Sequence, residues 1–331
     1  MKILVTGGAG YIGSFMVKRL LQDEYDVVVL DSLERGHKEA VDSRVSLKVG
    51  NLLDENFVQG VLQTDKFEAI IHFAGYISME ESMRRPEIYF NNNTLATLKL
   101  LEKAKEFSIN KFIFSSTAGV YGNPIKVPIP ESHPTSPENP YGESKLMVEK
   151  ILKWFHKIHG TSYAALRYFN ASGAAMDGSM GENHAPETHI IPKAIQAALT
   201  NQPFNLFGDD YKTKDGTCVR DYIHVLDLVE AHILALQKLT SAPGAYCFNV
   251  GTGNGFSNRE IVDTVKQVSG IDFAVEIKQR RPGDADELVA DPARIMRELN
   301  FAPTYSDLKT IITSAWQWHE KVNTSHQVIK L

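Results

Sequence analysis

Tyr141 and Lys145 stand four residues apart in Pro140-Tyr-Gly-Glu-Ser-Lys145, so on a helix the phenol and the ammonium share one face, a turn apart. That pairing can run proton chemistry on an alcohol. A free phenol, with a pKa of about 10, is a poor base at neutral pH, and a lysine cation beside it, with the positive ring of an oxidised nicotinamide cofactor, favours the phenolate. The phenolate could take the proton of a hydroxyl while hydride leaves the same carbon. Pro140 suits the first turn of a helix, which places the pair early on it. Upstream, Ser115-Ser-Thr-Ala118 closes a strand-like run. The Thr117 hydroxyl could hydrogen-bond the reacting oxygen there; Ser115 and Ser116 could instead be turn residues.

A departing hydride needs an acceptor, and the N-terminus offers a place for one. Ile3-Leu-Val5 is a short apolar run of the kind buried on both faces of a parallel sheet. Gly7, Gly10 and Gly13 follow at three-residue spacing, and Gly8, Gly10 and Gly13 also satisfy G-x-G-x-x-G. Such a turn brings the backbone close to a pyrophosphate, and the helix expected over 11–21 then aims its N-terminus at the phosphates. A second strand, Asp26-Val-Val-Val-Leu30, ends at Asp31, 18 positions after Gly13. A carboxylate at roughly 20 residues accepts from the adenosine ribose hydroxyls and repels a 2′-phosphate. Arg35 could in principle serve such a phosphate, but Asp31 and Glu34 argue against it. NAD is expected over NADP.

These residues need elements to hold them. Strand-like runs at 45–49, 68–73, 111–115 and 162–168 alternate with helical patterns near 93–106 and 141–159. The alternation implies an α/β fold with a doubly wound parallel sheet of Rossmann type. After about residue 175 the rhythm breaks, with short strands at 204–207, 246–250 and 273–277 and helices at about 190–200, 226–238 and 257–269. We therefore expect residues 1–175 to form the nucleotide-binding domain that carries Tyr141 and Lys145. Residues 176–331 should form a smaller α+β lobe over the carboxyl ends of the strands, with some segments returning to the first domain. The chain from about Asn323 lacks a pattern and is expected to fray.

Composition narrows the class. The 331 residues are 43% hydrophobic and 23% charged, ordinary for a globular protein with a sizeable core. A net charge of −5 provides no electropositive field for nucleic acid. No signal peptide is expected, and no apolar run approaches the roughly 18 residues of a membrane span. Cys218 and Cys247 are the only cysteines, which fits a reducing cytoplasm. The eleven histidines are scattered without metal-ligand spacing, so no metal is expected.

The Thr6–Gly13 turn, the Tyr141-x-x-x-Lys145 pair and the Ser-Ser-Thr strand end together resemble the extended short-chain dehydrogenase/reductase superfamily. Further segments are similar to the UDP-glucose 4-epimerase family: His72-Phe-Ala-Gly75, Asn91-Asn-Asn-Thr94, Leu166-Arg-Tyr-Phe-Asn170, Pro186-Glu-Thr-His-Ile-Ile-Pro192, Gly216-Thr-Cys-Val-Arg-Asp-Tyr-Ile-His224 and Arg280-Arg-Pro-Gly-Asp284. The likeness runs from Met1 to about Trp318. It implies an isomerase of galactose metabolism that oxidises a UDP-sugar at C4 with tightly held NAD, then returns hydride to the other face of the 4-keto sugar.

By this resemblance Tyr141 is the acid/base, Lys145 its electrostatic partner and Thr117 the bridge to the sugar. The cofactor would meet Gly7, Gly10, Tyr11, Ile12, Gly13, Asp31, Ser32, Leu33, Glu34, Arg35, Gly36, Asn51, Leu52, Phe73, Ala74, Gly75, Tyr76, Ile77, Asn93 and Phe169, besides Thr117, Tyr141 and Lys145. The UDP-sugar would meet Asn170, His189, Ile190, Asn205, Leu206, Phe207, Arg220, Arg281, Asp284 and Leu288, besides Thr117 and Tyr141. Guanidinium forks at Arg220 and Arg281 suit a diphosphate; Asp284 suits the uridine ribose.

The chain departs from the family's pattern at three positions. Asn51 stands where an aspartate often receives the adenine amino group, Ile77 where some members carry a lysine, and Glu80 where a small residue is common. Dehydratases and decarboxylases of related fold place an extra acid after the strand-end hydroxyl, whereas Thr117-Ala-Gly119 has none. A non-catalytic NAD-sensing regulator would commonly lose the tyrosine or lysine. Leu288, by resemblance in the sugar pocket, leaves room for an N-acetyl group at C2, so UDP-N-acetylglucosamine is a possible second substrate. The resemblance also implies a homodimer through the helices near 93–106 and 141–159. Leu98, Leu101, Leu146, Ile151 and Phe155 could supply that face or pack on the sheet.

Overall fold

The computed structural model describes residues 1–281 and 284–328, the last four by backbone alone. The first six strands are β1 (Lys2–Thr6), β2 (Asp26–Asp31), β3 (Ser46–Val49), β4 (Ala69–His72), β5 (Lys111–Thr117) and β6 (Ser162–Tyr168). Seven more follow: β7 (Asn170–Ser172), β8 (Phe204–Phe207), β9 (Val219–His224), β10 (Ala245–Val250), β11 (Gly255–Ser257), β12 (Val275–Lys278) and β13 (Glu287–Leu288). Seven strands form one sheet in the order β10-β6-β5-β4-β1-β2-β3, every neighbouring pair parallel. The order reverses between β1 and β4. Ligands of open parallel sheets lie at such a switch point, beyond the strands' carboxyl ends.

Helices cover both faces, which is why the central strands are apolar throughout rather than alternating. One face packs α1 (Tyr11–Gln22) against a later helix through Phe15, Met16 and Leu20. The other carries α2 (Glu55–Gln63), α5 (Ala96–Glu106) and α6 (Pro140–His159), with two short helices, α3 (Met79–Arg84) and α4 (Pro86–Tyr89), ahead of α5. The helix expected from residue 93 begins instead with a π-helical turn at Phe90–Leu95. Consecutive asparagines are poor helix formers whose amides compete for backbone partners, and Asn93 uses its amide in this way.

The remaining helices are α7 (Ile190–Thr200), α8 (Val225–Ser241), α9 (Asn258–Ser269), α10 (Ala293–Leu299) and α11 (Leu308–Val328). Helix α8 is the partner of α1, and β10 extends the large sheet beside β6. The chain therefore returns to the first layer well after residue 175. A separate core forms from α7, α9 and α11 through Ile195, Ile261, Val265, Ile311 and Ile312. Here β9 pairs with β7, β11 and β13, while β8 pairs with β12. Helix α11 continues to Val328, and residues 329–331 of the tail expected to fray lie outside the described residues. No helix among the described residues is long and apolar enough to cross a membrane.

Candidate functional site

The glycine turn is held by contacts that exclude side chains. A Cβ on Gly13 would lie 2.1 Å from the Gly7 carbonyl oxygen. At Gly10 a Cβ would meet only that oxygen, at 3.3 Å, so this face of the turn is open. Gly10 is also the N-cap of α1, and no side chain caps that helix, so its first N–H groups are left for a ligand or solvent. An open glycine below uncapped helix donors fits a pyrophosphate. Asp31 ends β2 and accepts from the N–H of Ala9 and of Leu33, each at 2.9 Å. One bond falls on each oxygen, so both retain a lone pair for ribose hydroxyls.

The loop after Asp31 is knitted to the one after β4. Ser32 Oγ accepts from Glu34 N at 3.4 Å, and Gly36 packs on Ala9. Glu34 takes the Tyr76 hydroxyl at 2.5 Å and the Asn51 amide at 3.3 Å. Arg35 pairs with Glu81 at 3.0 Å and lies over the Tyr76 ring, so its charge is committed away from a 2′-phosphate. Asn51 Oδ1 already accepts from Leu53 N, and Leu52 is buried. Phe73 and Ala74 both donate main-chain N–H to Thr6, beside the glycine turn, and the Phe73 ring packs on His232. Ile77 is exposed, and Glu80 forms an exposed i,i+4 pair with Arg84.

Asn139 caps α6 by accepting from Gly142 N at 2.9 Å, which starts the helix at Pro140 and sets Tyr141 and Lys145 in its first two turns. Lys145 is buried and donates to the Ser115 carbonyl at 3.0 Å. Burial lowers its pKa from 10.5 to about 8. The three hydroxyls ending β5 divide their partners: Ser115 bonds Tyr168, Ser116 bonds Glu149, and Thr117 bonds Tyr141 while accepting from Gly119 N. Thr117 is thus the one that meets the phenol. Burial raises the Tyr141 pKa above its ordinary value, and the Thr117 bond only partly offsets this. The lowering expected from the lysine is not found in the chain alone.

Asn93 turns out to brace the site. Its amide donates to the Tyr76 carbonyl at 3.0 Å and to Ser144 Oγ at 3.1 Å, and its oxygen accepts from Tyr76 N at 2.8 Å. Ser144 in turn donates to the Tyr141 carbonyl. Behind it lies a chain that sequence reasoning missed. Thr97 donates to the Asn93 carbonyl at 2.6 Å, so it must accept from His72 Nε2, which leaves Nδ1 to accept from Thr6. Burial holds His72 neutral, its pKa pushed down to about 3. The His72-Phe-Ala-Gly75 segment was the available signal.

The second lobe gathers residues far apart in sequence. Strand β9 sets Arg220 beside Leu288 of β13 in parallel register. Arg220 donates to the Val219 and Ala285 carbonyls at 2.8 and 2.9 Å and lies 3.5 Å from Asp284. Asp284 N–H donates to the Arg281 carbonyl, and the Arg281 guanidinium lies 4.2 Å over the Phe207 ring. Leu288 and Phe169 both pack on the cluster that holds Ala118, the residue after Thr117, so Leu288 lies between Arg220 and the end of β5. Asn170 donates to the Asp221 carbonyl at 3.0 Å. Asp221 was also missed: its buried carboxylate accepts from Thr252, Gly253 and Ala290 N–H groups and ties β9 to its surroundings.

Some expected contacts change. Strand β8 alternates, with Asn205 outward and Leu206 in the core, so Leu206 can offer a ligand only its backbone. His189, ahead of α7, bonds Glu182, and Ile190 packs on the α7 core. Of the two uses open to the helix residues, inward packing is the one found: Leu101 and Leu146 are buried, Ile151 and Phe155 pack partly on the sheet cluster, and Leu98 is half-buried. The exposed apolar residues of α6 are Met147, Trp154 and Ile158.

The profile of the NAD dependent epimerase/dehydratase family matches residues 3–251. The chain is 46% identical to the UDP-glucose 4-epimerase of Lactobacillus helveticus over 321 residues, 97% of each chain. Its identity to the UDP-glucose 4-epimerase of Lacticaseibacillus casei is 48% over 321 residues, again 97% of each. A crystal structure of UDP-glucose 4-epimerase from Brucella ovis in complex with NAD superposes with a TM-score of 0.92 at 43% identity, covering 95% of this chain and 97% of that one.

Proposed function

The chain belongs to the NAD dependent epimerase/dehydratase family, and on that premise we propose that it interconverts UDP-glucose and UDP-galactose as an NAD-dependent UDP-glucose 4-epimerase. The observation that carries this reading is the wall beyond the catalytic pair. Tyr141, Thr117 and Lys145 meet at the end of β5, and the next residues are Ala118 and Gly119. Eliminating water or losing carbon dioxide from a 4-keto sugar needs a further acid or base, and these two residues supply none.

Bound NAD supplies the acceptor, and later the donor, of the C4 hydride. The open face at Gly10 and the donors of Tyr11 and Ile12 would hold its pyrophosphate, Asp31 its adenosine ribose, and the Phe73–Ile77 segment braced by Asn93 would wall it. Lys145 keeps donors free after bonding Ser115 and directs them to the nicotinamide ribose. Since burial holds the Tyr141 phenol high in the chain alone, the Lys145 cation would favour the phenolate together with the positive charge that oxidised NAD would supply. Tyr141 then takes the C4 hydroxyl proton, passed along the Thr117 bond, and returns it once the ketone has turned its other face. Residues 1–175 carry this machinery. Arg220 and Arg281 clamp the diphosphate, Asp284 and Asn170 hold the uridine and sugar ends, and the lobe of residues 176–331 supplies most of these contacts.

Leu288 sets the size of the sugar pocket, and its medium side chain admits an N-acetyl group. Failure to turn over UDP-N-acetylglucosamine at concentrations that support glucose epimerisation would refute that extension. The exposed Met147, Trp154 and Ile158 recur at i, i+7 and i+11 along α6 and support a homodimer through this helix. Two free cysteines support a cytoplasmic setting.

The deciding assay supplies UDP-galactose to the purified protein without added reductant and detects UDP-glucose. Conversion without net NADH, lost in Tyr141→Phe, is the expected result. No conversion with NAD retained points to another nucleotide-sugar, or else to the regulator.

A further inference from the structure

We propose that Glu182, His184, Glu187 and His189 form a binding site for a divalent transition metal of the zinc class, fastening the segment between β7 and α7 against the nucleotide-binding turn. Sequence spacing alone did not suggest it, because the two halves are ordinary. Glu182 and His184 are two residues apart, as are Glu187 and His189, and in extended chain such pairs point to the same side. The structure turns the two pairs face to face. One donor atom from each of the four lies within 4.8 Å of all the others. A tetrahedral zinc with bonds of about 2.0–2.1 Å holds its ligands roughly 3.3 Å apart, so small side-chain rotations close the set.

A second observation points into the same centre. His184 Nδ1 is enclosed by protein yet makes no well-directed hydrogen bond, although Glu182 Oε1 is 3.0 Å away. His189 Nδ1 converges on that same oxygen, and the two imidazole rings are 5.6 Å apart. Two imidazoles and two carboxylates suit zinc and its borderline neighbours better than calcium or magnesium, which take all-oxygen shells.

The surroundings would orient the ligands, as outer contacts do in metal sites. Trp318 Nε1 donates to the Glu182 carbonyl at 3.0 Å, the His37 ring bonds the Asn183 carbonyl at 2.9 Å, and Tyr11 stands edge-on to His184. Tyr11 opens α1 directly after Gly10, so an ion here would lock the chain that flanks the cofactor cleft.

The test uses the full-length chain without an affinity tag, treated with chelator and dialysed. Zinc is titrated calorimetrically, and cobalt is followed by visible absorption. One zinc per chain is expected, with intense tetrahedral cobalt bands, and affinity falling by at least about tenfold in His184→Ala and in His189→Ala. Absence of stoichiometric zinc binding overturns the proposal, as does binding unchanged in the double variant. If the double variant does not fold, wild-type cobalt decides: a weak octahedral spectrum overturns the site and an intense tetrahedral one upholds it.

Discussion

Lys145 Nζ donates to the main-chain carbonyl of Ser115 at 3.0 Å, and no carboxylate among the described residues pairs with it. The ammonium is therefore a buried cation answered by a dipole. A Cβ on Gly75 would stand 3.2 Å from this nitrogen, so the free donors look toward the loop that follows β4. An acid partner would neutralise the charge; a carbonyl leaves it available to the site.

That arrangement predicts a pH-dependent stability. Lys145 has a pKa of about 8 in the folded chain against 10.5 for an ordinary lysine. Between those values the unfolded chain binds more protons, so the folded state gains stability as pH rises. After NAD is removed, the unfolding free energy of the wild type should gain on that of Lys145→Met by up to about 3 kcal/mol across this window. Urea unfolding at several pH values measures it, and a gap that stays constant with pH would contradict the buried cation.

Tyr141→Phe keeps the ring and removes the proton carrier. Turnover should fall by about 10²–10⁴-fold while NAD and UDP-sugar still bind. Steady-state kinetics with a cofactor fluorescence titration separates the two. Thr117→Val should lower turnover less, because the phenol survives.

Glu149 and Arg167 form a buried ion pair at 2.6 Å, with Ser116 and Tyr121 filling the remaining bonds. Glu149→Gln leaves a buried guanidinium without its countercharge. A loss of about 3–5 kcal/mol is expected, visible as a lowered thermal midpoint. A loss below 1 kcal/mol would mean that water reaches the pair.

Asp31 holds the Ala9 and Leu33 N–H groups, and in the proposed function the same carboxylate would receive the adenosine ribose. Asp31→Asn should weaken NAD by about tenfold to a hundredfold, the scale of a lost charged hydrogen bond, and narrow the discrimination against NADP. Parallel fluorescence titrations with the two cofactors check this; an unchanged NAD/NADP ratio would remove Asp31 from the ribose.

Much of the nucleotide half was legible because its determinants are local. The apolar run, the glycine spacing and the acid after β2 all lie in one strand-turn-helix-strand unit, and Tyr141 and Lys145 share a helix whose start Asn139 and Pro140 announce. Periodicity placed α7 and β6 at their observed bounds, 190–200 and 162–168. The π-helical turn ahead of α5 was not readable, because it depends on where the Asn93 amide finds partners.

Sequence by itself determined the alternation of strands and helices, the dinucleotide turn and the tyrosine–lysine pair, since each rests on residues within a few turns of one another. Tertiary structure alone decided the rest. It laid β10 beside β6, turned Leu206, Leu101 and Leu146 inward, brought Leu288 onto the cluster of Ala118 and Leu146 and faced Glu182 and His184 toward Glu187 and His189. It also buried the Tyr141 phenol, which raises its pKa in the chain without the cofactor whose positive ring was expected to join the lysine in lowering it. The physical reason is that burial and desolvation depend on everything packed around a group, and most of those neighbours come from distant parts of the chain.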